Sequence, residues 1–500
     1  MKNIFSRLLY KISKRLRPGR KRKNERLERG QVLVIVTLSV ISLVAIVGLA
    51  VDTGLLYLNH GKLRRAVDAA ALAASSQFRE GYSTAEMEKS AVEFLKLNGI
   101  NDPTATVETC ATNPGDPTVC TTPARKLVRV HATSVARLAF LPVIGIRTAT
   151  VTATAVSEAA SMDVVLVIDT SDSMTYDAPV GDPMRDPSQC NPAHNCHPFE
   201  EVKAAAKEFV KQLYFPYDRV SVVTFSDSAH VDLGFSDKKS DVIAAINGLT
   251  VINPPVCDTA SGPCRVYERD PITGVPTDLN HDGVIDYYGF DCPVYHLTGN
   301  PDTCGTTSIG KGLLFAGDEF ANPATFRQES LWVVILLTDG ATNGPFYVCP
   351  NSTWTNPFCR DNNAITRHCF TADDTSCLAK GGVFDPNNYD TDDYARKMAD
   401  FVSEDQHALI FTIGLGSLVR TSIPRVEYDL STNPPKPKLD GGGHQINCDT
   451  LADDCWGAGE QLLNYAADTG GGKYYYAPGG NQLRDIFLDI AQNLATRLTQ

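Results

Sequence analysis

The pattern of apolar and polar positions changes three times along the chain. From Val32 to Val51 no charge interrupts an apolar run whose polar members are Thr37, Ser39 and Ser42. As a helix rising 1.5 Å per residue, it spans about 30 Å, the thickness of a hydrocarbon core. From Thr53 to about Phe78 the chain reads as the same helix continued, with no Pro and with Ala66, Ala69, Ala70, Ala71, Ala73 and Ala74 permitting close helix approach. That small-residue face suits either a partner helix or the chain's own small domain. Residues 84–97 have amphipathic helical spacing, and 104–158 alternates apolar and polar residues as exposed strands do. Residues 53–158 therefore form a small α+β unit. After Met162 the runs MDVVLVID and LWVVILLTDG are continuously apolar and end in acids, as buried parallel strands do. DRVSVVTFS and HALIFTIGLG supply two more strands. Helical stretches lie at 199–213, 237–249, 308–320, 390–405, 459–468 and 481–498. Alternating strand and helix means an α/β fold with an open, mostly parallel sheet covered on both faces, its ligand site at the carboxyl ends of the strands.

Charge adds a topology. Residues 1–31 hold 12 Lys and Arg against 2 Glu, while the rest holds 34 basic and 56 acidic residues. The acidic body excludes nucleic-acid binding as a class. The basic segment 1–30, beside a transmembrane helix at 31–52, places the N-terminus in the cytoplasm and everything later outside, as a single-pass protein of the cytoplasmic (inner) membrane. An uncleaved anchor fits better than a signal peptide: the small pair Gly48 and Ala50 lies inside the apolar run, with no polar stretch before it. Ile4, Phe5, Leu8, Leu9, Ile12 and Leu16 fall at helical spacing among basic residues, which suits a helix on the inner leaflet or a plain topogenic cluster.

All 14 cysteines follow the apolar run. They form successive close pairs: Cys110 and Cys120, Cys190 and Cys196, Cys257 and Cys264, Cys292 and Cys304, Cys349 and Cys359, Cys369 and Cys377, Cys448 and Cys455. An even number on the outer side, without C-x-x-C knuckles, reads as a disulfide framework. Nested pairing, Cys349 with Cys377 and Cys359 with Cys369, remains open.

Three segments converge on a metal. Asp169, Ser171 and Ser173 alternate just past one strand, Thr307 precedes a helix in CGTTSIGKGL, and Asp339 ends another strand in TDG. Carboxylate and hydroxyl oxygens are the ligands Mg²⁺, Mn²⁺ or Ca²⁺ prefer. VVLVIDTSDSM, GTTSIGKGL, VVILLTDG and LIFTIGLG, with LLNYAADTGGGKYYYAPGGNQLRDIF, resemble the von Willebrand factor A (VWA) domain family from about Met162 onward, over residues 162–500. The resemblance implies that Asp169, Ser171, Ser173, Thr307 and Asp339 form a metal-ion-dependent adhesion site, or MIDAS, completed by a partner's Asp or Glu. Asp172 departs from the family, which has a small residue there; its charge either tunes affinity or is simply solvated.

RGQVLVIVTLSVISLVAIVGLAVDTGLLYLNHGKLRRAVDAAALAAS, with the later LVRVHATSVARLAFLPVIGIRTATVTATAVSE, resembles the TadE/TadG-like proteins of tight-adherence (Flp) pilus assembly. That implies pilus assembly or envelope attachment, with other Tad components as partners. Gly30 is followed five residues later by Ile35 where processed pilin-like relatives carry Glu, so no prepilin-peptidase cleavage is expected.

Four segments exceed the loops of a VWA domain: about 175–198, 251–305, 341–389 and 417–458. Each leaves the carboxyl-end face, and together they hold most of the cysteine pairs. This suits a rigid recognition surface around the metal or neutral loop growth. One contains Asp278, Asn280, Asp282, Val284 and Asp286, the start of a calcium loop, although its twelfth position is Gly289. No hydrolase, metalloprotease, nucleotide or dinucleotide motif occurs, so an enzyme is not expected. Metal-dependent adhesion or assembly is the favoured class; a passive envelope scaffold is the alternative.

Overall fold

The apolar run and the alanine-rich stretch form one unbroken helix, α1 (Glu28–Ser75), in the computed structural model of the chain. The structure describes residues 28–78, 83–122, 124–179, 181–253, 256–257, 264–267, 287–290, 307–343, 367–386, 388–422, 424–442, 445–450 and 452–497. From 32 to 51 every residue of α1 is exposed but Gly48. Helix α2 (Thr84–Leu97) follows, then strands β1 (Thr104–Glu108), β2 (Lys126–Arg137) and β3 (Thr148–Ala159), which make one three-stranded sheet in that order. The chain divides into two compact units, one built from residues up to 70 with 92–106 and 131–155, the other from 71–91, 107–130 and 156 onward. In the first, Leu63, Val67, Leu95 and Ile100 are buried. Within the second, Lys126 donates to Asp218 over 2.6 Å, both buried, and Asp218 also accepts from the Met162 and Tyr214 amides.

The second unit is centred on a six-stranded sheet. Its strands are β4 (Ser161–Asp169), β5 (Arg219–Phe225), β6 (Ala229–Ser236), β7 (Ser330–Thr338), β8 (Leu409–Leu415) and β9 (Gly471–Ala477), ordered β9-β8-β7-β4-β5-β6. All neighbours run parallel except β5 and β6. The continuous apolar runs have their cause in the two covered faces. Val164, Leu166 and Ile168 point to one face, against Phe199, Val202 and Phe209 of α3 (Phe199–Gln212), Val242 and Ile246 of α4 (Lys239–Gly248), and Phe487 of α8 (Leu483–Arg497). Val165 and Val167 point to the other, against α5 (Ile309–Ala321), α6 (Thr391–Asp400) and α7 (Ala458–Thr469).

Two strands were missing from the pattern. β6 is an antiparallel edge whose residues are mostly half-buried, and β9 carries a Gly-Gly start and a tyrosine run. Gly471 has φ of +62°, a conformation that admits glycine readily. The helix read at 390–405 is α for its first part and a π turn over Phe401–Asp405. Its start is fixed by a capping box, with Asp390 accepting from the Asp392 and Asp393 amides and Asp393 returning to the Asp390 amide.

The long segments have their own structure where described. Residues 175–198 include the short helix Pro187–Ala193, and 417–458 folds into an antiparallel trio of Lys436–Pro437, Val426–Asp429 and Cys455–Trp456, with Tyr428 stacked on Trp456 at 4.2 Å between centroids. Disulfides join Cys110–Cys120, Cys190–Cys196, Cys369–Cys377 and Cys448–Cys455. The Cys369–Cys377 bond rules out nested pairing for those two. Cys257 and Cys264 face each other in a strand ladder by backbone register. Their side chains, and Cys292, Cys304, Cys349 and Cys359, lie outside the described residues.

Candidate metal centre

Strand register assembles the site. Leu337 pairs with Ile168, so Thr338 emerges beside Asp169 where β7 and β4 end, and Asp339 follows. The turn after β4 is fixed locally. The Ser171 amide donates to Asp169 Oδ1 over 2.8 Å, and Thr170 donates through both its amide and its hydroxyl to the Phe225 carbonyl. A 3₁₀ turn, Asp172–Thr175, then lifts Ser173 toward β7.

The result is a continuous hydrogen-bonded chain. Ser171 Oγ is 3.0 Å from Ser173 Oγ, which donates to Asp339 Oδ1 over 2.8 Å. On the inner side, Thr338 Oγ1 donates to Asp169 Oδ2 over 2.6 Å and accepts from the Gly340 amide. The fifth residue, Thr307, arrives by main-chain ties. Its amide donates to Asn343 Oδ1, and its carbonyl accepts from the Asn343 amide and the Thr342 hydroxyl. The adjacent Ser308 amide donates to the Ser226 carbonyl over 2.6 Å. Asp169, Ser171, Ser173 and Asp339 are thus linked directly; among the described residues no hydrogen bond joins Thr307 to those four.

The site is acidic and mostly buried. Asp169, Ser171, Thr307 and Asp339 are all buried. Burial, then the facing Asp169 charge, pushes the Asp339 carboxyl well above its usual range, and burial raises Asp169 as well. Among the described residues neither carboxylate has an ion-pair partner. At the opposite end of β4, by contrast, Asp163 is held by both Arg219 and Arg327. Two buried carboxylates without a counter-charge, flanked by neutral hydroxyls, fit a divalent cation. No group of three His, Cys, Asp or Glu converges among the described residues.

Asp172 is not solvated. It is buried, accepts from the Tyr176 hydroxyl over 2.8 Å, and adds to the negative field on Asp339. Thr342 and Asn343 escape the sequence reading and Thr338 enters it only as part of the TDG motif; the short polar run TDGATN after a buried strand is their signal. A hollow beside the Ser171 loop is lined by Thr170, Thr224, Ser228, His230, Asp232 and Thr250. Within it Asp232 accepts from Thr224 over 2.6 Å and lies 3.1 Å from His230 Nδ1. Asp278, Asn280, Asp282, Val284 and Asp286 lie outside the described residues.

Residues 164–259 match the family model for the von Willebrand factor type A domain. Residues 30–77 match the one described as putative Flp pilus-assembly TadE/G-like. The chain therefore joins a TadE/G-like N-terminal region to a VWA domain. No curated protein matches the sequence. Among solved structures, it is similar to the vWF domain of the type V pili tip protein Mfa5 from Porphyromonas gingivalis, at 14% identity and a TM-score of 0.35, covering 69% of this chain and 98% of that one. It is also similar to the conserved hypothetical protein BatB from Bacteroides thetaiotaomicron, at 14% identity and 0.32, covering 68% and 100%. A third is proximal thread matrix protein 1 from the mussel byssus, described with a zinc-occupied MIDAS motif, at 15% identity and 0.32, covering 67% and 46%. This chain thus spans about half the length of the mussel protein.

Proposed function

We propose that this protein is a membrane-anchored, extracytoplasmic adhesion or assembly component of a Tad/Flp-type pilus system. It would hold a partner's Asp or Glu at a metal-ion-dependent adhesion site formed by Asp169, Ser171, Ser173, Thr307 and Asp339. The observation that carries this reading is the Asp169–Ser171–Ser173–Asp339 chain at the strand ends, whose two carboxylates are buried and without a counter-charge among the described residues. Bound Mg²⁺ or Mn²⁺ would supply an electrophilic centre with an open position for a carboxylate.

The chain's own residues do the rest. Ser171, Ser173 and Thr307 offer neutral oxygens, which leave the ion's charge largely unsatisfied. Thr338 and the Ser171 amide hold Asp169 in one orientation. Without the ion, the acidic domain repels an acidic partner, so attachment depends on the metal. α1 is long and apolar enough to cross a membrane. The basic residues before it support a cytoplasmic start and a VWA domain outside the cytoplasmic membrane.

Calorimetric titration of Mg²⁺ and Mn²⁺ into the full chain in detergent tests the centre, with Thr307→Ala and Asp339→Ala expected to abolish binding without unfolding. In cells, Asp169→Ala and Asp339→Ala are expected to abolish adhesion or pilus display at unchanged protein level. Function that persists in both variants and in EDTA would reject the mechanism and leave the passive scaffold.

A further inference from the structure

Gly48 is buried in a stretch of α1 where everything else is bare; its neighbours Val47 and Leu49 are 50% and 57% exposed. The covering group is Phe140, from the loop between β2 and β3. A Cβ added to Gly48 would lie 2.9 Å from Phe140 Cβ, so nothing larger than glycine fits beneath the ring. One helical turn later, buried Asp52 grips the same loop. Its carboxylate accepts from the amides of Ala139 over 2.6 Å, Phe140 over 3.1 and 3.2 Å, and Leu141 over 2.7 Å. It thereby caps the 3₁₀ turn Leu141–Ile144, which ends at Gly145 with φ of +95°. The Leu138 amide donates to the Arg147 carbonyl and closes the loop at its base.

The content of this loop is unusual for a connection between exposed strands. Residues 138–146, LAFLPVIGI, contain no polar side chain, and exposed Arg137 and Arg147 bracket them. Val143 is 88% exposed, Ile144 71% and Ile146 49%. A polypeptide turn facing water is normally polar, whereas an apolar tip flanked by arginines suits the boundary between acyl chains and headgroup phosphates. The tip is fastened to the last turn of the apolar segment, so its apolar surface continues that of the span.

We infer that residues 138–146 are a second membrane element, a wedge in the outer leaflet. Val143, Ile144 and Ile146 lie among lipid chains, and Arg137 and Arg147 lie at the phosphates. The wedge rests on the reading of 32–51 as a membrane span. Asp52 is the clasp: it satisfies the backbone amides of the turn where water is scarce, and ties the wedge to the helix. Two attachment points fix the outer end of α1 against rotation and against sliding along its axis.

The test uses the full chain in phospholipid vesicles, with photoreactive p-benzoyl-phenylalanine in place of Val143, of Leu49 in the span, or of Leu430, which is 47% exposed in the VWA domain. After illumination, mass spectrometry reads lipid adducts. Positions 143 and 49 are expected to give comparable lipid adducts, roughly tenfold above position 430, and Asp52→Ala is expected to lower the adduct at 143 while leaving that at 49. Adducts at 143 no higher than at 430, or adducts to a second copy or another protein instead of lipid, would overturn the wedge while a positive position 49 keeps the span. Failure at both 49 and 143 would overturn the span and the wedge together.

Discussion

Thr338 is not itself a candidate metal ligand, yet the geometry gives it control of one, Asp169. Its hydroxyl donates to Asp169 Oδ2 over 2.6 Å while accepting from the Gly340 amide over 3.2 Å. It fixes the carboxylate on one side and the turn carrying Asp339 on the other. Thr338→Val keeps the shape and the β-branch but removes both bonds. A hydrogen bond to a charged group contributes about 1.5–3 kcal/mol. Loss of such a support around a metal ligand typically weakens affinity by about 10- to 100-fold. That range corresponds to about 1.4–2.7 kcal/mol of binding free energy. Mn²⁺ calorimetry on the full chain is expected to show this loss, and denaturant melts in EDTA are expected to show a smaller stability in the variant. Thr338→Ser, which retains the hydroxyl, is expected to recover most of the affinity. Unchanged Mn²⁺ affinity in Thr338→Val would refute the claim that Asp169 is oriented for a cation.

Other expectations follow from the same structure. Asp218→Asn leaves buried Lys126 without its counter-charge and is expected to cost about 3–5 kcal/mol in urea unfolding, the penalty for breaking one side of a buried pair. Replacing Cys190 and Cys196 together by Ala opens a short loop whose cysteines are both buried in the core, and is expected to lower stability by about 2 kcal/mol without changing far-ultraviolet circular dichroism. Gly312→Ala places a methyl 2.8 Å from Phe225 and 2.9 Å from Val167; α5 must back away from the sheet, and Thr307 lies just before it. A cost of about 1–3 kcal/mol in thermal or urea unfolding is expected, with weaker Mn²⁺ binding than wild type.

Much of this molecule was legible in its residue pattern because the pattern reflects burial. A run without charge for 20 residues is long and apolar enough to cross a membrane, and the structure makes it part of one helix. Continuous apolar strands ending in Asp169 and Thr338–Asp339 announced a sheet covered on both faces, because alternate side chains must each find a hydrophobic layer. β6 and β9 escaped because they are edge strands: half-buried positions and glycines give no periodic signal, and pairing with β5 and β8 alone makes them strands. The candidate residues Asp169, Ser171, Ser173 and Asp339 could be named from their spacing, but register decided their meeting. Leu337 opposite Ile168 brings Thr338 to Asp169, a contact across 169 positions of chain. The burial of Asp172, the main-chain ties of Thr307 to Asn343, and the clasp of Asp52 on residues 139–141 likewise belong to tertiary structure alone. A sequence carries local preference and hydrophobic period, whereas these contacts depend on which distant backbone amide or hydroxyl the packed fold presents to each carboxylate or carbonyl.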